Sequence, residues 1–144
     1  MGRANEAGID LVSPLHALHR AAQRADSLFG RHGGAGNITP RQFAVLEAVS
    51  LADGMNQVQI MKVTGIDRSS TAELVTRLVS LKWLHRHRSR RDKRSYVVRL
   101  TDAGRVRLAA GRVAAHAANE ALLSVLTASQ RRDFLRALAM VTDI

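Results

Sequence analysis

Three helix-start signals, close together in the middle of this chain, constrain its fold more than any other feature. The signals are polar residues that cap helices: Thr39, which Pro40 follows, Asn56 and Asp67. Each precedes a stretch with apolar residues at helical spacing. Only Thr64-Gly65-Ile66, a turn that contains a glycine, separates the last two stretches. A short helix, a three-residue turn and a longer helix make a helix-turn-helix unit.

Two alternating stretches follow the longer helix, Trp83–Ser89 and Ser95–Leu100, and they predict a β-hairpin. Residues 86–100 hold seven arginine and lysine residues against one aspartate, in a chain with a net charge of +10. A basic hairpin alone is usually a solvated turn. Directly after a helix-turn-helix, it is typical of a wing that reaches the DNA backbone and minor groove. We assign Asp92 a structural role in the tip, because a carboxylate that faced phosphate would oppose binding.

The longer helix, predicted from Arg68 to about Lys82, has two different sides. One side can pack on the second and third helices and holds Thr71, Leu74, Val75, Leu78 and Val79. The outer side is short and polar at the helix start, where a helix in the major groove contacts base edges and phosphates. It holds Ser69, Ser70, Glu73, Thr76 and Arg77. In isolation this would simply be the solvent face of an amphipathic helix, but the adjoining wing favours DNA.

Helices are also predicted at both ends of the chain. The first runs from Ser13-Pro14 to about Phe29, before a glycine-rich loop at 31–37, and we expect residues 1–12 to be poorly ordered. A long alanine-rich helix runs from Thr101-Asp102 to about Leu126, and Ser129 is predicted to cap a last helix. The fold class is therefore mainly α with a small β wing, in which a winged helix-turn-helix core is flanked by N- and C-terminal dimerisation helices.

Composition excludes several function classes. The net charge of +10 and the isoelectric point near 11.6 make nucleic acid the first partner to consider. The chain has no cysteine, no glycine-rich phosphate loop and no paired carboxylates, so we expect neither an enzyme nor a cofactor nor a bound metal. No apolar run is long enough to span a membrane and no signal peptide is visible, so we expect a cytoplasmic protein without a membrane partner.

From Thr39 to Gly104 the chain resembles the winged helix-turn-helix core of the MarR (multiple antibiotic resistance regulator) family. The resemblance lies in TPRQFAVLEAV, in DRSSTAELVTRLVSLKWLHRHRSRRDKRS and in VRLTDAG. Its most specific part is Asp92-Lys93-Arg94 followed by Leu100-Thr101-Asp102-Ala103-Gly104. Lys82 stands where the family usually has a glycine before the first wing strand, so the helix end could be shaped differently here.

The resemblance implies that Arg94 enters the minor groove, that Asp92 holds the wing loop, and that Ser69, Ser70, Thr71, Glu73 and Arg77 occupy recognition-helix positions. With the charged residues around them, the predicted DNA contacts are Arg68, Ser69, Ser70, Thr71, Glu73, Thr76, Arg77, Arg88, Arg90, Arg91, Lys93 and Arg94. The resemblance also implies a triangular homodimer. We expect one domain, 1–144, with a DNA-binding lobe at 39–100 and a helical dimerisation region at 10–30 and 101–144.

The function predicted from these features is a sequence-specific regulator of transcription, a homodimeric repressor on a pseudo-palindromic operator in double-stranded DNA. By resemblance, a small effector, often an aromatic or phenolic acid, would release it. Candidate ligand residues are His16, His19, Arg20, Phe43, Met55 and His116, although each also has a simpler explanation as surface or core. The alternative is an architectural protein that binds DNA with little sequence preference and no ligand.

Overall fold

The structure, a computed structural model, describes residues 13–32 and 38–142. This part of the chain forms six helices and one two-stranded antiparallel sheet, in the order α1 (Pro14–His32), α2 (Pro40–Ser50), α3 (Gln57–Thr64), α4 (Arg68–Ser80), β1 (Leu84–Arg88), β2 (Tyr96–Leu100), α5 (Asp102–Leu123) and α6 (Ala128–Thr142). The predicted fold class is confirmed. The expectation for residues 1–12 lies outside the described residues. So does most of the predicted 31–37 loop, whose first two residues continue α1.

Polar side chains begin the central helices where the sequence predicts. Thr39 Oγ1 accepts a hydrogen bond from the Gln42 amide over 3.2 Å, and Gln42 Oε1 accepts one from the Thr39 amide over 3.0 Å. Asn56 and Gln59 form the same reciprocal pair, at 2.9 Å in each direction. Both pairs satisfy amide groups that have no partner inside the helix. The cap predictions for α2 and α3 are therefore confirmed.

The predicted cap of the last helix is wrong. Thr127, not Ser129, occupies the cap position, because its Oγ1 accepts from the Gln130 amide over 3.3 Å while Gln130 Oε1 accepts from the Thr127 amide over 2.9 Å. This reciprocal arrangement needs a glutamine or glutamate three residues after the cap. Thr127 has Gln130 at that distance, whereas Ser129 has Arg132.

Two predicted helix ends lie too far along the chain. α4 ends at Ser80 rather than near Lys82, and α5 ends at Leu123 rather than near Leu126. Lys82 has a φ of 60°, and it is the one residue other than glycine with a positive φ in the described part of the chain. The lysine thus adopts the left-handed conformation that suits a glycine, and the chain still turns from α4 into the wing.

The hydrophobic core joins the helix-turn-helix to the wing and to α5. Its largest fully buried apolar side chains are those of Val45, Leu46, Val49, Ile60, Leu78 and Leu84. α1 packs along α5 of the same chain, and Ala114 and Ala118 are buried in this core. These two alanines belong to the alanine-rich helix of the predicted dimerisation region, so at least this part of the helix is already covered within one chain.

The hairpin has the register that its alternation predicts. Leu84 pairs with Leu100 at its base and Arg88 with Tyr96 at the last pair before the tip. Met55, just before α3, adds a single antiparallel bridge to Val98. Leu84, Val98 and Leu100 are buried, so one face of the hairpin lies on the core while the tip extends beyond it. No helix in the described ranges is long and apolar enough to cross a membrane.

Candidate nucleic-acid interface

The first turn of α4 is fixed by the residue before it and by α3. Asp67 Oδ1 accepts a hydrogen bond from the Ser70 amide over 2.9 Å. This bond and a second one from the Ser70 hydroxyl hold the pKa of the Asp67 carboxyl below its ordinary value. Gln57 Nε2 in α3 donates to the carbonyl oxygen of Arg68 over 3.1 Å. The start of the helix is therefore held both by its own cap and by its neighbour.

The turn between α3 and α4 depends on one glycine. Gly65 has a φ of 69°, and its amide donates to the Met61 carbonyl oxygen over 2.9 Å, which ends α3. A residue with a Cβ would be strained in this conformation. The glycine thus allows α4 to leave α3 within three residues and sets the angle between the two helices.

The predicted DNA-facing residues share one exposed side of α4. Arg68, Ser69, Glu73, Thr76 and Arg77 are exposed, and Ser70 is half-buried. The opposite side contributes Val75 and Leu78 to the core. This division of the helix matches the one drawn from the sequence.

Thr71 is an exception among the predicted DNA contacts. Its side chain is completely buried (0% exposed), and its Oγ1 donates a hydrogen bond to the carbonyl oxygen of Ile66 over 3.2 Å. A group in this position cannot reach a base or a phosphate. The prediction that Thr71 contacts DNA is therefore wrong, whereas its placement on the packing side of the helix is right. Its role is to tie α4 to the preceding turn.

The tip of the hairpin is closed around Asp92. The Asp92 side chain accepts a hydrogen bond from the Arg94 amide over 2.9 Å, and its carbonyl oxygen accepts from the Ser95 hydroxyl over 3.1 Å. Ser89 Oγ accepts from the amides of Arg91 and Asp92 over 3.2 and 3.3 Å. Because these bonds satisfy the loop from within, its four basic side chains project into solvent: Arg90, Arg91, Lys93 and Arg94.

The wing also contacts α4 directly. Arg86 Nη2 donates to Thr76 Oγ1 over 3.4 Å, and the side chains of Val75, Arg86 and Tyr96 line a common groove of about 270 Å³. The recognition side of α4 and the basic wing are therefore adjacent parts of one surface, which we call the α4–wing surface (residues 68–77 and 86–96).

The face of the hairpin that turns away from the core lines a second, larger feature. This is a cleft of about 880 Å³ between the end of α2, the hairpin and the first half of α5. Its polar lining residues include Ser50, Asp53, His85, His87, Arg99, Thr101, Asp102, Arg105 and Arg112. No sequence pattern predicts this cleft as a whole, although the alternation that places Leu84 in the core also places His85 and His87 together on the opposite face.

Two interactions organise the floor of this cleft. Arg99 pairs with Asp53, with Nε 3.0 Å from Oδ1 as an ion pair and Nη2 donating to Oδ2 over 3.3 Å. The rings of His85 and His87 meet edge to face, with centroids 4.0 Å apart. His87 Nε2 is buried and has no hydrogen-bond partner among the described residues. Burial, with His85 and Arg99 nearby, holds the pKa of His87 below its ordinary value.

An ion pair at the side of the cleft joins α5 to α2. Arg112 donates from Nε to Glu47 Oε2 over 2.9 Å and from Nη2 to Oε1 over 3.2 Å, and Nη2 also lies 3.3 Å from Ser50 Oγ. The hydrogen bonds to Glu47 raise the pKa of Arg112 above its ordinary value. This bidentate ion pair connects the predicted dimerisation region to the predicted DNA-binding lobe.

The residues predicted to bind a ligand are not gathered into one site. His16, His19 and Arg20 are exposed along α1, and His116 is exposed on α5. Phe43 packs against Phe29, with ring centroids 5.5 Å apart, and against Gly111. Met55 is buried beside Val98. No group of three or more histidine, aspartate or glutamate side chains able to hold a metal ion occurs within 13–32 and 38–142.

Comparison with known proteins identifies the family. The MarR family model matches residues 37–95. The multiple antibiotic resistance protein MarR of Escherichia coli is 32% identical over 94 residues, and this alignment covers 65% of each chain, a little under two thirds of that protein. The transcriptional repressor CouR, solved bound to a 23-mer DNA duplex, is 31% identical with a TM-score of 0.80, covering 90% of this chain and 92% of that one. The chain belongs to the MarR family.

A further MarR-family structure extends the likeness to the helices outside the matched region. The PcaV transcriptional regulator of Streptomyces coelicolor, in complex with its natural ligand, is 30% identical with a TM-score of 0.79. The match covers 92% of this chain and 93% of PcaV. The MarR-family fold here therefore includes α1, α5 and α6 as well as the winged core.

Proposed function

We propose that this MarR-family chain is a sequence-specific, homodimeric DNA-binding regulator of transcription, a repressor that a small acidic ligand releases. The observation that carries the proposal is the α4–wing surface, where an exposed polar helix side adjoins a basic loop held in shape by Asp92. The solved CouR complex with a DNA duplex supports DNA as the partner of a closely similar fold.

Within this proposal, α4 enters the major groove and the wing reaches the neighbouring backbone and minor groove. Ser69, Ser70 and Thr76 are short enough to approach base edges, and Arg77 can donate to a guanine or a phosphate. Glu73 can accept from a cytosine amine. Arg68, Arg90, Arg91 and Lys93 supply phosphate contacts, and Arg94 inserts into the minor groove.

The dimer is proposed from exposed apolar side chains on the flanking helices. Leu15 and Leu18 on α1, Val113 on α5, and Leu135, Met140 and Val141 on α6 are each between 44% and 76% exposed. A surface of this kind is covered in a stable protein by another apolar surface. Two-fold pairing of these helices would place two α4–wing surfaces on the same side, facing half-sites about 10 base pairs apart.

The effector site is proposed in the cleft rather than at the predicted histidines of α1. The cleft has room for a small molecule, and its three arginines and two histidines favour an anion. It also holds a buried imidazole nitrogen that has no hydrogen-bond partner within the described part of the chain. It also touches both α5 and the wing, so an occupant that prefers one arrangement of the two lobes could shift the half-site spacing. The PcaV complex with its ligand shows that a protein of this fold binds one.

DNA selection from a random duplex library, followed by binding of the enriched and of a scrambled duplex, tests the DNA function. Arg77→Ala should reduce the preference for the enriched duplex, since one base contact contributes about 1–3 kcal/mol of discrimination. Arg94→Ala should weaken binding to both duplexes and reduce the salt dependence. Failure to enrich any sequence, or equal losses for both variants on the enriched and the scrambled duplex, would support the alternative of an architectural DNA-binding protein.

The effector site has its own test. A panel of aromatic carboxylic acids, benzoate and 4-hydroxybenzoate among them, would be screened for release of the labelled enriched duplex. For an acid that releases the duplex, His87→Ala should raise the half-releasing concentration, while His116→Ala, outside the cleft, should leave it unchanged. The reverse result would place the ligand at the predicted helical histidines instead.

A further inference from the structure

Arg88 differs from the other basic residues of the wing in what its side chain contacts. Its Nη1 donates a hydrogen bond to the carbonyl oxygen of Lys93 over 3.1 Å. Its guanidinium also lies over the ring of Tyr96, 5.8 Å from the ring centroid, and Tyr96 is its direct cross-strand partner. The side chain therefore spans the hairpin from β1 to the tip loop, with its planar end held on two sides.

These contacts bear on a single peptide group. The carbonyl oxygen that Arg88 binds belongs to the peptide between Lys93 and Arg94, and the amide of that same peptide donates to Asp92 Oδ1 over 2.9 Å. One peptide plane is thus held at its oxygen by a cation and at its nitrogen by a carboxylate. The direction of that plane sets the direction in which the Arg94 side chain leaves the backbone.

We propose that Arg88 is a positioning residue that acts through Arg94, rather than the direct DNA contact that its charge predicts. The expected effect on DNA affinity rests on the proposed function, whereas the ordering of the Lys93–Arg94 peptide is a property of the free protein. With the peptide already ordered, binding DNA costs less conformational entropy than it would for a mobile loop. Arg88 and Asp92 act as two ends of one clamp, and Tyr96 keeps the guanidinium in its plane.

The chemistry of this clamp requires arginine. A guanidinium is planar and can lie on an aromatic ring while donating from its edge to a carbonyl oxygen. An ammonium group has the same charge but is not planar, so it cannot lie flat on the ring while it donates from an edge. Arg88→Lys therefore separates the two roles, because it keeps the charge and removes the clamp, and Arg90→Lys is the matched control. Arg90 is exposed on the same wing and has no side-chain hydrogen bond or ion pair within the described residues.

The first measurement uses the free protein. In ¹⁵N relaxation experiments the Arg94 amide of the wild type and of Arg90→Lys should have an order parameter of about 0.85, as for rigid backbone. Arg88→Lys and Arg88→Met should lower it towards ~0.6 without changing α4. An unchanged order parameter in both Arg88 variants overturns the clamp, whether or not the protein binds DNA.

The second measurement is the salt dependence of binding to a mixed-sequence duplex long enough for two half-sites. Arg88→Lys and Arg88→Met should each weaken binding about three- to ten-fold without changing the slope of affinity against salt. In a chain that already carries Arg94→Ala, adding Arg88→Met should have no further effect on affinity. A direct phosphate contact would instead give full affinity for Arg88→Lys and a slope for Arg88→Met that is smaller by about one per chain. If the wild type itself ignores DNA, the proposed function fails while the relaxation result still decides the clamp.

Discussion

The hydroxyl of Thr101 donates a hydrogen bond to the carbonyl oxygen of Lys82 over 2.6 Å, although the whole hairpin separates the two residues in sequence. The hydroxyl oxygen of Thr101 in turn accepts a hydrogen bond from the Gly104 amide over 2.9 Å. One side chain therefore caps α5 and holds the turn that follows α4. The wing leaves the lobe between these two points, so its base is fixed by the helices on either side.

Lys82→Gly should stabilise the protein. Lys82 has a φ of 60°, a conformation that costs a residue with a Cβ more than it costs glycine. After allowance for the greater freedom of glycine in the unfolded chain, we expect the free energy of unfolding to rise by about 0.5–1 kcal/mol. Urea unfolding measures it. Lys62→Gly, on an exposed helical position of α3, should have the opposite sign.

Gly104→Ala should destabilise the protein by about 3 kcal/mol, at the upper end of the cost of overpacking. A Cβ at this position would overlap the backbone carbonyl oxygen of Trp83, which cannot move away as a flexible side chain could. Gly30→Ala is the matched control, because a Cβ there meets no atom of the described residues beyond its own helical turn within 4 Å. We expect Gly30→Ala to stabilise α1 by about 0.5–1 kcal/mol. Equal changes in melting temperature for the two variants would contradict the close approach of α5 to the wing base.

The stability of the protein should fall in mildly acidic solution because of His87. Burial, then His85 and Arg99, lower the pKa of His87 from 6.5, with Asp53 acting in the opposite direction. As the pH falls below about 6.5, the unfolded chain takes up a proton at this site that the folded protein does not. The free energy of unfolding therefore decreases until the pH reaches the lower pKa of the folded state, and is constant with respect to this group below it.

Unfolding by urea between pH 5 and 7.5 measures this dependence. His87→Gln should flatten the pH profile relative to the wild type. His116→Gln, whose side chain is exposed on α5 outside the cleft, should keep the wild-type profile. A profile that His87→Gln leaves unchanged would show that the imidazole is not confined in the way the cleft indicates.

Leu135→Asp should convert the proposed dimer to a monomer and weaken DNA binding. Leu135 is 53% exposed on α6, and a carboxylate there would be buried without a partner if α6 lies in the interface. Leu51→Asp is the control, because Leu51 is 65% exposed on the DNA-binding lobe instead. Light scattering after size exclusion reads out the mass. If Leu135→Asp still has the mass of two chains while Leu51→Asp has the mass of one, the dimer interface lies elsewhere.

The sequence predicted those features that depend on local chemistry. Asn56, Asp67 and Thr101 cap helices because a short polar side chain can reach an amide three residues on, and the alternation after Trp83 gave the correct hairpin. Features that depend on distant neighbours were missed. The cleft forms where α2, α5 and the wing come together, and no local sequence pattern predicts contacts between such distant elements.

Arg88 and Thr71 illustrate the same limit within the candidate site. The sequence predicts Arg88 as a DNA contact together with the other wing arginines, because its charge is visible there, whereas its hydrogen bond to the Lys93 carbonyl oxygen is visible only in the structure. Thr71 has a polar side chain at a recognition-helix position, yet its hydroxyl finds a partner in the Ile66 carbonyl and is buried. The residue type indicates that each side chain is polar, but only the tertiary contacts show which group it binds.

In the proposed complex, two chains together present two α4–wing surfaces to one duplex. Sedimentation velocity of the protein with a labelled duplex from the selection experiment, at low salt, measures the composition of the complex directly. We expect a complex of two chains per duplex that is lost as salt is raised. A single chain on the duplex, or a protein that sediments apart from the duplex at low salt, would contradict it.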